Sequence, residues 1–213
     1  MKRLLVNLSS NHPKLVIAGA LVITMLFASQ LPKIHIDTDP ENMLRADEPV
    51  RLFNHDVKET FALHDMVVLG IVAESGVFTP ETLGRVARIT EKIAAIEGVI
   101  DYDIYAPTEV DDIFTTGDGT LRVETLMGDI PEDRATAERV LAQIKKNPIL
   151  RGKLASEDGQ ALAIFVPLED KHLAHAVALE MERIVEEEGG DEEYHIAGIP
   201  IAESRFGAQM FVQ

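Results

Sequence analysis

Carboxylates in two short stretches of this 213-residue sequence could hold a divalent cation. Asp37 and Asp39 lie in a DTDP segment, and Asp111, Asp112 and Asp118 lie within one acidic stretch. An EF-hand loop binds calcium through oxygen ligands at every second position and ends in a glutamate. The three downstream aspartates do not follow this spacing, and a DTDP turn more commonly caps a helix. The DTDP segment is therefore interpreted as a helix-capping turn and the downstream stretch as a solvated acidic loop, with cation binding as the alternative for both.

Two histidines at helical spacing, His172 and His175, could also share a metal ion. The surrounding segment has the periodicity of a helix, whose apolar face contains Leu173 and Val177. At about 100° per residue both histidines project away from that face and lie beside Glu182. A solvated polar face is therefore the favoured interpretation, and a metal site is the alternative.

The sequence lacks the short motifs of common catalytic sites. It contains no G-x-S-x-G, no phosphate-binding glycine loop and no H-E-x-x-H. Because it has no cysteine, disulfides and thiolate metal sites are excluded. Its net charge of −16 would repel a phosphate backbone, and it has no tryptophan. The sequence therefore predicts a protein that is not an enzyme, with no catalytic residue, no cofactor, no metal site and no nucleic-acid partner.

A long apolar stretch near the N-terminus carries no charged residue and predicts a transmembrane helix over residues 15–32. Lys2, Arg3 and Lys14 precede this stretch, whereas all 36 carboxylates follow it. Such an excess of basic residues predicts that residues 1–14 are cytoplasmic. A cleaved signal peptide is the alternative, but the small residues that cleavage requires are not correctly spaced.

Beyond this stretch the apolar pattern alternates between the periods of strands and helices. Met66–Val72 is a continuous apolar run, which predicts a central strand buried on both faces. The clearest helix follows it, with Thr79 as N-cap, Pro80 at its first position and Gly98 at its end. A strand over Val99–Tyr105 would complete a βαβ unit.

The rest of the chain repeats this order loosely. The same patterns predict a helix over Glu48–Ala62, a strand over Thr120–Met127, a helix over Pro131–Lys146, a hairpin of strands Lys153–Ser156 and Ala161–Leu168, a helix over Lys171–Glu188 and a strand over Tyr194–Ala197. The predicted class is therefore α+β, with ferredoxin-like subdomains built from repeated βαβ units.

Five segments, taken in order, resemble one family of membrane proteins. They are the apolar stretch itself, IDTDPENMLRADEPVRLFNHDVKETF, MVVLGIV, FTPETLGRVARITEKIAAIEGV and GIPIAESRFGAQMFVQ. Together they are similar to the start of permeases of the resistance-nodulation-division (RND) superfamily, and most similar to predicted exporters of the MMPL branch. The resemblance implies a periplasmic porter-type α+β domain over residues 33–200. It also implies a Gly-x-Pro element leading out of that domain, which Gly198, Ile199 and Pro200 match.

The function implied by this resemblance is proton-driven export of hydrophobic or amphiphilic, lipid-like molecules. The chain would be the N-terminal part of such an exporter in the bacterial inner membrane, with most of its residues in the periplasm. Its implied partners are membrane lipid through the N-terminal span, an amphiphilic substrate and further copies of the full-length permease. No residue here matches the proton-relay carboxylates of the family, which lie in its middle spans.

A single-span, membrane-anchored periplasmic binding or adaptor domain is the alternative function. The end of the chain distinguishes the two, because residues 201–213 carry a rough apolar stripe that includes Phe206, Met210 and Phe211. We expect this segment to lead into a second transmembrane helix, which favours the exporter.

Overall fold

The computed structural model describes residues 13–31 and 40–209, with side chains described for residues 13–31 and 42–205. The chain divides between residues 37 and 38 into two units, which are described separately.

The first unit contributes one described helix, α1 (Pro13–Ala28), whose side chains are all exposed. Its 16 residues span roughly 24 Å at 1.5 Å per residue, less than the roughly 30 Å of a bilayer core. No helix within residues 13–31 and 40–209 is both long enough and apolar enough to cross a membrane. The prediction of a transmembrane helix over residues 15–32 is therefore wrong.

The second unit combines helices and strands, which confirms the predicted α+β class. Its described elements are α2 (Pro49–Thr60), β1 (Met66–Val72), α3 (Pro80–Ala94), β2 (Asp111–Thr115), β3 (Leu121–Thr125), α4 (Arg134–Lys146), β4 (Ala161–Pro167), α5 (Ala174–Glu188), β5 (Glu193–Ala197) and α6 (Ile199–Gln209). Short 3₁₀ turns lie at Pro40–Met43, Asp101–Asp103 and Lys171–Leu173.

Strand β1 is the centre of a three-stranded sheet in the order β4–β1–β5, with both pairings antiparallel. Leu69 lies opposite Ile164 on β4 and Ile196 on β5. Its side chain is fully buried, as is that of Val67, whereas Val68 on the other face is only half-buried. The predicted central position of β1 is confirmed. Its predicted burial on both faces is wrong, because only one face lies against the core.

The ferredoxin-like arrangement of repeated βαβ units is not shown. The predicted strand Val99–Tyr105 contributes only isolated bridges at its two ends, with a 3₁₀ turn between them. In that turn the carboxylate of Asp101 accepts a hydrogen bond from the backbone N–H of Tyr102 at 2.8 Å. Such a local bond competes with strand pairing. The predicted strand Lys153–Ser156 is likewise a turn, in which Ala155 alone bridges to β4.

A second, two-stranded sheet is formed by β2 and β3. Ile113 lies opposite Val123, and both side chains are exposed. The hairpin turn contains Asp118 and Gly119, and the glycine has a φ of +83°. The predicted strand Thr120–Met127 is confirmed as β3 with the shorter bounds Leu121–Thr125. Strand β2 lies in the stretch that the sequence analysis interprets as a loop. An Asp-Gly pair between β-branched residues is the signal that could have predicted it.

Helix α3 begins as the sequence predicts, but it ends at Ala94 rather than at Gly98. The hydroxyl of Thr79 accepts a hydrogen bond from the backbone N–H of Thr82 at 3.1 Å, and Pro80 occupies the first helical position. The buried side of the helix includes Leu83 and Ile89, which pack into the core beneath the sheet. The N-cap residue, the proline at the first position and the apolar stripe therefore all indicate the same helix.

Helices α4 and α5 begin later than predicted. Asp133 is the N-cap of α4, because its carboxylate accepts a hydrogen bond from the N–H of Thr136 at 2.7 Å. The helix therefore begins at Arg134 rather than at Pro131. The predicted start of α5 is a 3₁₀ turn, Lys171–Leu173, before the α-helix proper.

Helix α2 leaves most of its apolar side exposed, with Val57 half-buried. Val50, Phe53, Val57 and Phe61 form the α2 stripe, and 68% of Phe53 and 68% of Phe61 are accessible to solvent. The predicted helix is confirmed with bounds Pro49–Thr60. An apolar surface of this kind indicates an interaction site rather than a part of the core.

Candidate functional site

A groove of about 790 Å³ lies between the C-terminal end of α3 and the length of α5. We call it the α3–α5 groove; its apolar lining comprises Ala95, Ile96, Gly98, Leu173, Ala176, Val177 and Ile184. Val177 and Ile184 are buried, whereas 37% of Leu173 is exposed at the mouth. Small-molecule sites typically have volumes of roughly 300–1,000 Å³ and mostly apolar linings. The groove is therefore the candidate binding site.

One end of the groove is shaped by Gly98, which has a φ of +88°. A Cβ atom at this position would overlap the side chain of Leu173, and the positive φ itself favours glycine. The backbone N–H of Glu169 donates a hydrogen bond to the Gly98 carbonyl at 3.0 Å. These contacts fix the chain after α3 beside the chain that leads into α5.

The other end is held by three basic side chains of α3. Arg88 and Lys92 bind the carboxylate of Glu188 at 2.8 and 2.7 Å, and Arg85 pairs with Glu192. Spacings of three and four residues place all three cations on one side of the helix. Arg85 pairs with Glu192, whereas Arg88 and Lys92, further along α3, pair with Glu188, which comes earlier in the chain than Glu192. The two helices therefore run antiparallel. The ion pairs therefore hold α3 alongside α5.

The Glu192 carboxylate is the most deeply placed member of this network, with only 7% of its side chain exposed. The hydroxyl of Thr82 donates to its Oε1 at 2.6 Å, and the Arg85 guanidinium binds its Oε2. Burial raises the pKa of Glu192, but the hydrogen bond from Thr82 and the positive charge of Arg85 outweigh burial and leave the pKa below its ordinary value. Glu192 is therefore a buried, charged carboxylate.

Acid should weaken the fold through Glu188 and Glu192. Hydrogen bonds from Lys92 and Arg88 lower the pKa of Glu188, and that of Glu192 is lowered as well. An unfolded glutamate has a pKa of about 4.3. The stability that the two ionised carboxylates contribute to the fold is therefore complete above that pH, and it is lost as the pH falls through their lower pKa values in the folded protein. We therefore expect the midpoint temperature of thermal unfolding to decrease as the pH is lowered below about 4.3.

Melting curves followed by circular dichroism over a pH series would check this expectation. The matched variant is Glu188→Gln with Glu192→Gln, which should start from a lower midpoint and lose less of it in acid. An identical acid dependence in the variant and the parent protein would show that other groups cause the loss.

The aspartates considered as cation ligands have separate roles in the structure. Asp112 is buried, and its Oδ1 accepts a hydrogen bond from the side-chain amide of Asn147 at 3.0 Å. Asp118 accepts a hydrogen bond from the N–H of Thr120 at 3.1 Å and thereby shapes the hairpin turn. Asp111 is exposed. The structure therefore does not bring these three carboxylates together.

The two histidines do not share one helix. His172 lies in the 3₁₀ turn, where its N–H donates to Asp170, and His175 lies in α5; both are exposed. Over the described residues, no three His, Cys, Asp or Glu side chains form a group that could hold a metal ion. Asp37 and Asp39 lie outside the described residues.

The groove was not predicted from the sequence, although its parts were. Ile96, Val177 and Ile184 belong to the apolar stripes that predicted α3 and α5. What leaves a groove between these stripes is the small size of Ala95 and Ala176, which line it as exposed residues. Small residues beside both stripes are the signal that could have indicated it.

Comparison with known proteins does not assign the chain to a family. No model of a known protein family matches it, and no curated protein is significantly similar to it in sequence. Its function is therefore argued from the geometry of the α3–α5 groove.

Proposed function

We propose that the chain is the N-terminal part of a proton-driven RND exporter of the MMPL type, and that its second unit binds hydrophobic or amphiphilic molecules. The single observation that carries the proposal is the α3–α5 groove, in which Leu173 and Ala176 are exposed beside the buried Val177 and Ile184. The order of the segments that resemble the family supports the role in transport. On the same resemblance we propose that the second unit lies on the periplasmic side of the bacterial inner membrane.

Apolar contact would be the main source of affinity in the groove. Transfer of a methylene group from water to an apolar surface contributes about 0.8 kcal/mol. A lipid-like tail can therefore bind against Ile96 and Leu173 without a dedicated polar partner. No residue of this chain matches the proton-relay carboxylates of the family, so the proposed role of the chain is binding rather than proton transfer.

A binding or adaptor domain is the second candidate function. The α2 stripe favours it, because exposed Phe53 and Phe61 offer an apolar surface to another protein. In that case α2 would be the functional surface, and the groove would have no ligand.

Binding of a neutral, fluorescent apolar probe such as N-phenylnaphthylamine tests the first candidate. We expect saturable fluorescence enhancement with the whole chain. Ala176→Trp should lower the affinity at least about tenfold, because an indole in the groove removes the volume that the probe occupies. The matched control is Ala142→Trp, since Ala142 is exposed on α4 and does not line the groove.

Two outcomes would contradict the proposal. Equal probe affinity in Ala176→Trp and Ala142→Trp, with melting curves unchanged, would show that the groove is not the site. Loss of the fluorescence signal in Phe53→Asp but not in Ala176→Trp would place the probe on the α2 stripe and favour the adaptor domain.

A further inference from the structure

Strand β5 lies at the end of its sheet, so one of its edges pairs with β1 and the other pairs with no strand in the part of the chain that the structure describes. Prolines and bulges commonly protect such a free edge from further pairing. Strand β5 contains no proline, and its register with β1 is continuous from Glu193 to Ala197. The outer edge of β5 can therefore accept another strand.

Hydrogen bonds just beyond the two ends of the β1–β4 pairing show in which direction the backbone groups of β1 point. The N–H of Ala73 donates to the carbonyl of Gln160, and the N–H of Leu168 donates to the carbonyl of Asp65, both at 2.9 Å. Both pairs continue the register of β1 with β4. Bonded pairs alternate along antiparallel strands, so the odd-numbered residues of β1 bond to β4 and the even-numbered residues face β5.

The same alternation identifies the outward backbone groups of β5. The residues that lie opposite the even-numbered residues of β1 are Glu193, His195 and Ala197, and these three bond to β1. The N–H and C=O groups of Tyr194 and Ile196 therefore point away from the sheet. Over residues 40–209, no backbone hydrogen bond joins these groups to another segment.

A groove of about 600 Å³ runs along this free edge. We call it the β5 groove; the strand contributes residues 194–196 to its lining, and α5 contributes Glu182 and Glu186. Consecutive side chains of a strand point to opposite faces, so three of them can line one groove only along the side of the strand. An extended chain in the groove would lie between β5 and α5, which is the arrangement of β-augmentation.

The β5 groove has a net negative charge. Glu182 and Glu186 are exposed, and Glu186 forms no ion pair with any residue whose side chain the structure describes. Arg205 also lines the groove, where it lies 3.8 Å from Glu182 and leaves Glu186 unbalanced. A second copy of the chain would bring the same carboxylates together across a β5–β5 pairing. A segment with basic side chains is therefore the complementary partner.

We propose that β5 binds an extended segment of a partner protein as an additional strand, with basic side chains of that segment facing Glu182 and Glu186. The outward backbone groups of Tyr194 and Ile196 form the new ladder. Because side chains alternate along a strand, the basic residues of the partner occupy every second position. The inference goes beyond the proposed function, since the β5 groove shares no lining residue with the α3–α5 groove.

Capped fluorescent peptides of about seven residues, a typical strand length, test the inference with the whole chain. One peptide alternates lysine with valine, and the other alternates glutamate with valine. We expect a saturable increase in fluorescence anisotropy with the lysine peptide, and at least about tenfold weaker binding of the glutamate peptide at low ionic strength. Equal affinity of the two peptides would overturn the charge selection and with it the inference.

A third peptide separates strand pairing from attraction by charge alone. It has the lysine–valine sequence with a methyl group on every backbone nitrogen, so it keeps the charge but cannot donate hydrogen bonds to the edge of β5. We expect its affinity to be at least about tenfold lower than that of the parent peptide. Equal binding of the two would contradict strand addition.

Charge variants test the two carboxylates of α5. Glu182→Gln combined with Glu186→Gln should weaken binding of the lysine peptide at least about fivefold. The matched control is Glu132→Gln combined with Glu157→Gln, which changes the net charge equally at exposed positions outside the groove and should keep the parent affinity. Equal weakening in the control would show that the general acidity of the protein attracts the peptide, and would overturn the inference.

Amide hydrogen exchange followed by NMR would locate the bound peptide. The lysine peptide should slow exchange at Tyr194 and Ile196, whose N–H groups point outward, and leave exchange at His195, which already bonds to β1, nearly unchanged. Unchanged exchange at Tyr194 and Ile196 would place the peptide elsewhere and overturn the inference. Slow exchange there without peptide, together with a dimeric mass in sedimentation, would identify a second copy as the occupant and also overturn it.

Discussion

Replacing Leu69 with aspartate should unfold the second unit, with a loss of more than about 4 kcal/mol in the free energy of unfolding. Leu69 is fully buried in the central strand, between Ile164 on β4 and Ile196 on β5. A carboxylate there would lose its hydration without gaining a partner. Urea denaturation followed by circular dichroism would measure the loss.

Val68→Asp is the matched control, because it introduces the same group one residue away on the other face of β1. That face is half-exposed, so the carboxylate can remain hydrated, and we expect a loss of about 1 kcal/mol. Equal losses for Leu69→Asp and Val68→Asp would mean that both faces of β1 are buried, contrary to the structure.

Arg85→Met should be the most damaging change on the surface of α3. It leaves the Glu192 carboxylate, only 7% exposed, with the hydroxyl of Thr82 as its remaining side-chain partner. Removing one member of a buried ion pair costs more than the pair contributes, and we expect a loss of about 2–4 kcal/mol. Urea denaturation at pH 7 would measure it.

Two further variants test whether the loss comes from an unpaired charge. Arg85→Met combined with Glu192→Met should recover most of the stability, because an apolar pair can replace a buried ion pair at little cost. Arg134→Met removes an exposed partner of Glu138 and should have little effect. If the double variant were no more stable than Arg85→Met alone, the unpaired carboxylate would not be the cause.

Local signals predicted α3 well because they agreed with one another. Thr79, Pro80 and the regular stripe from Leu83 to Ile93 each specify the same helix, and the structure contains it with the predicted cap. The central position of β1 in the sheet was predicted correctly, but its burial on both faces was not. An apolar run does not show how many of its faces a fold will cover, so the half-exposure of Val68 depends on the tertiary structure.

Features with conflicting local signals, and features that depend on distant residues, were missed or mistaken. The predicted strand Val99–Tyr105 has apolar residues at both ends, but the local hydrogen bond of Asp101 favours a turn. The apolar stretch near the N-terminus indicated a span, whereas α1 ends at Ala28. The groove combines residues of α3 with residues of α5, and Glu192 lies beyond both helices. No local pattern brings these parts together.

The position of β1 in the sheet has a consequence for the order in which the chain folds. The central strand is made first, and both of its neighbours follow much later, since Val67 pairs with Val166 and Leu69 pairs with Ile196. At roughly 5–20 residues per second, a ribosome needs roughly 4–18 s to synthesise the residues between β1 and β4. During that interval β1 has neither strand partner, and its apolar side chains must be sheltered by helices such as α3 and α4 or by other proteins. Sheet formation therefore waits for nearly the whole second unit to be synthesised.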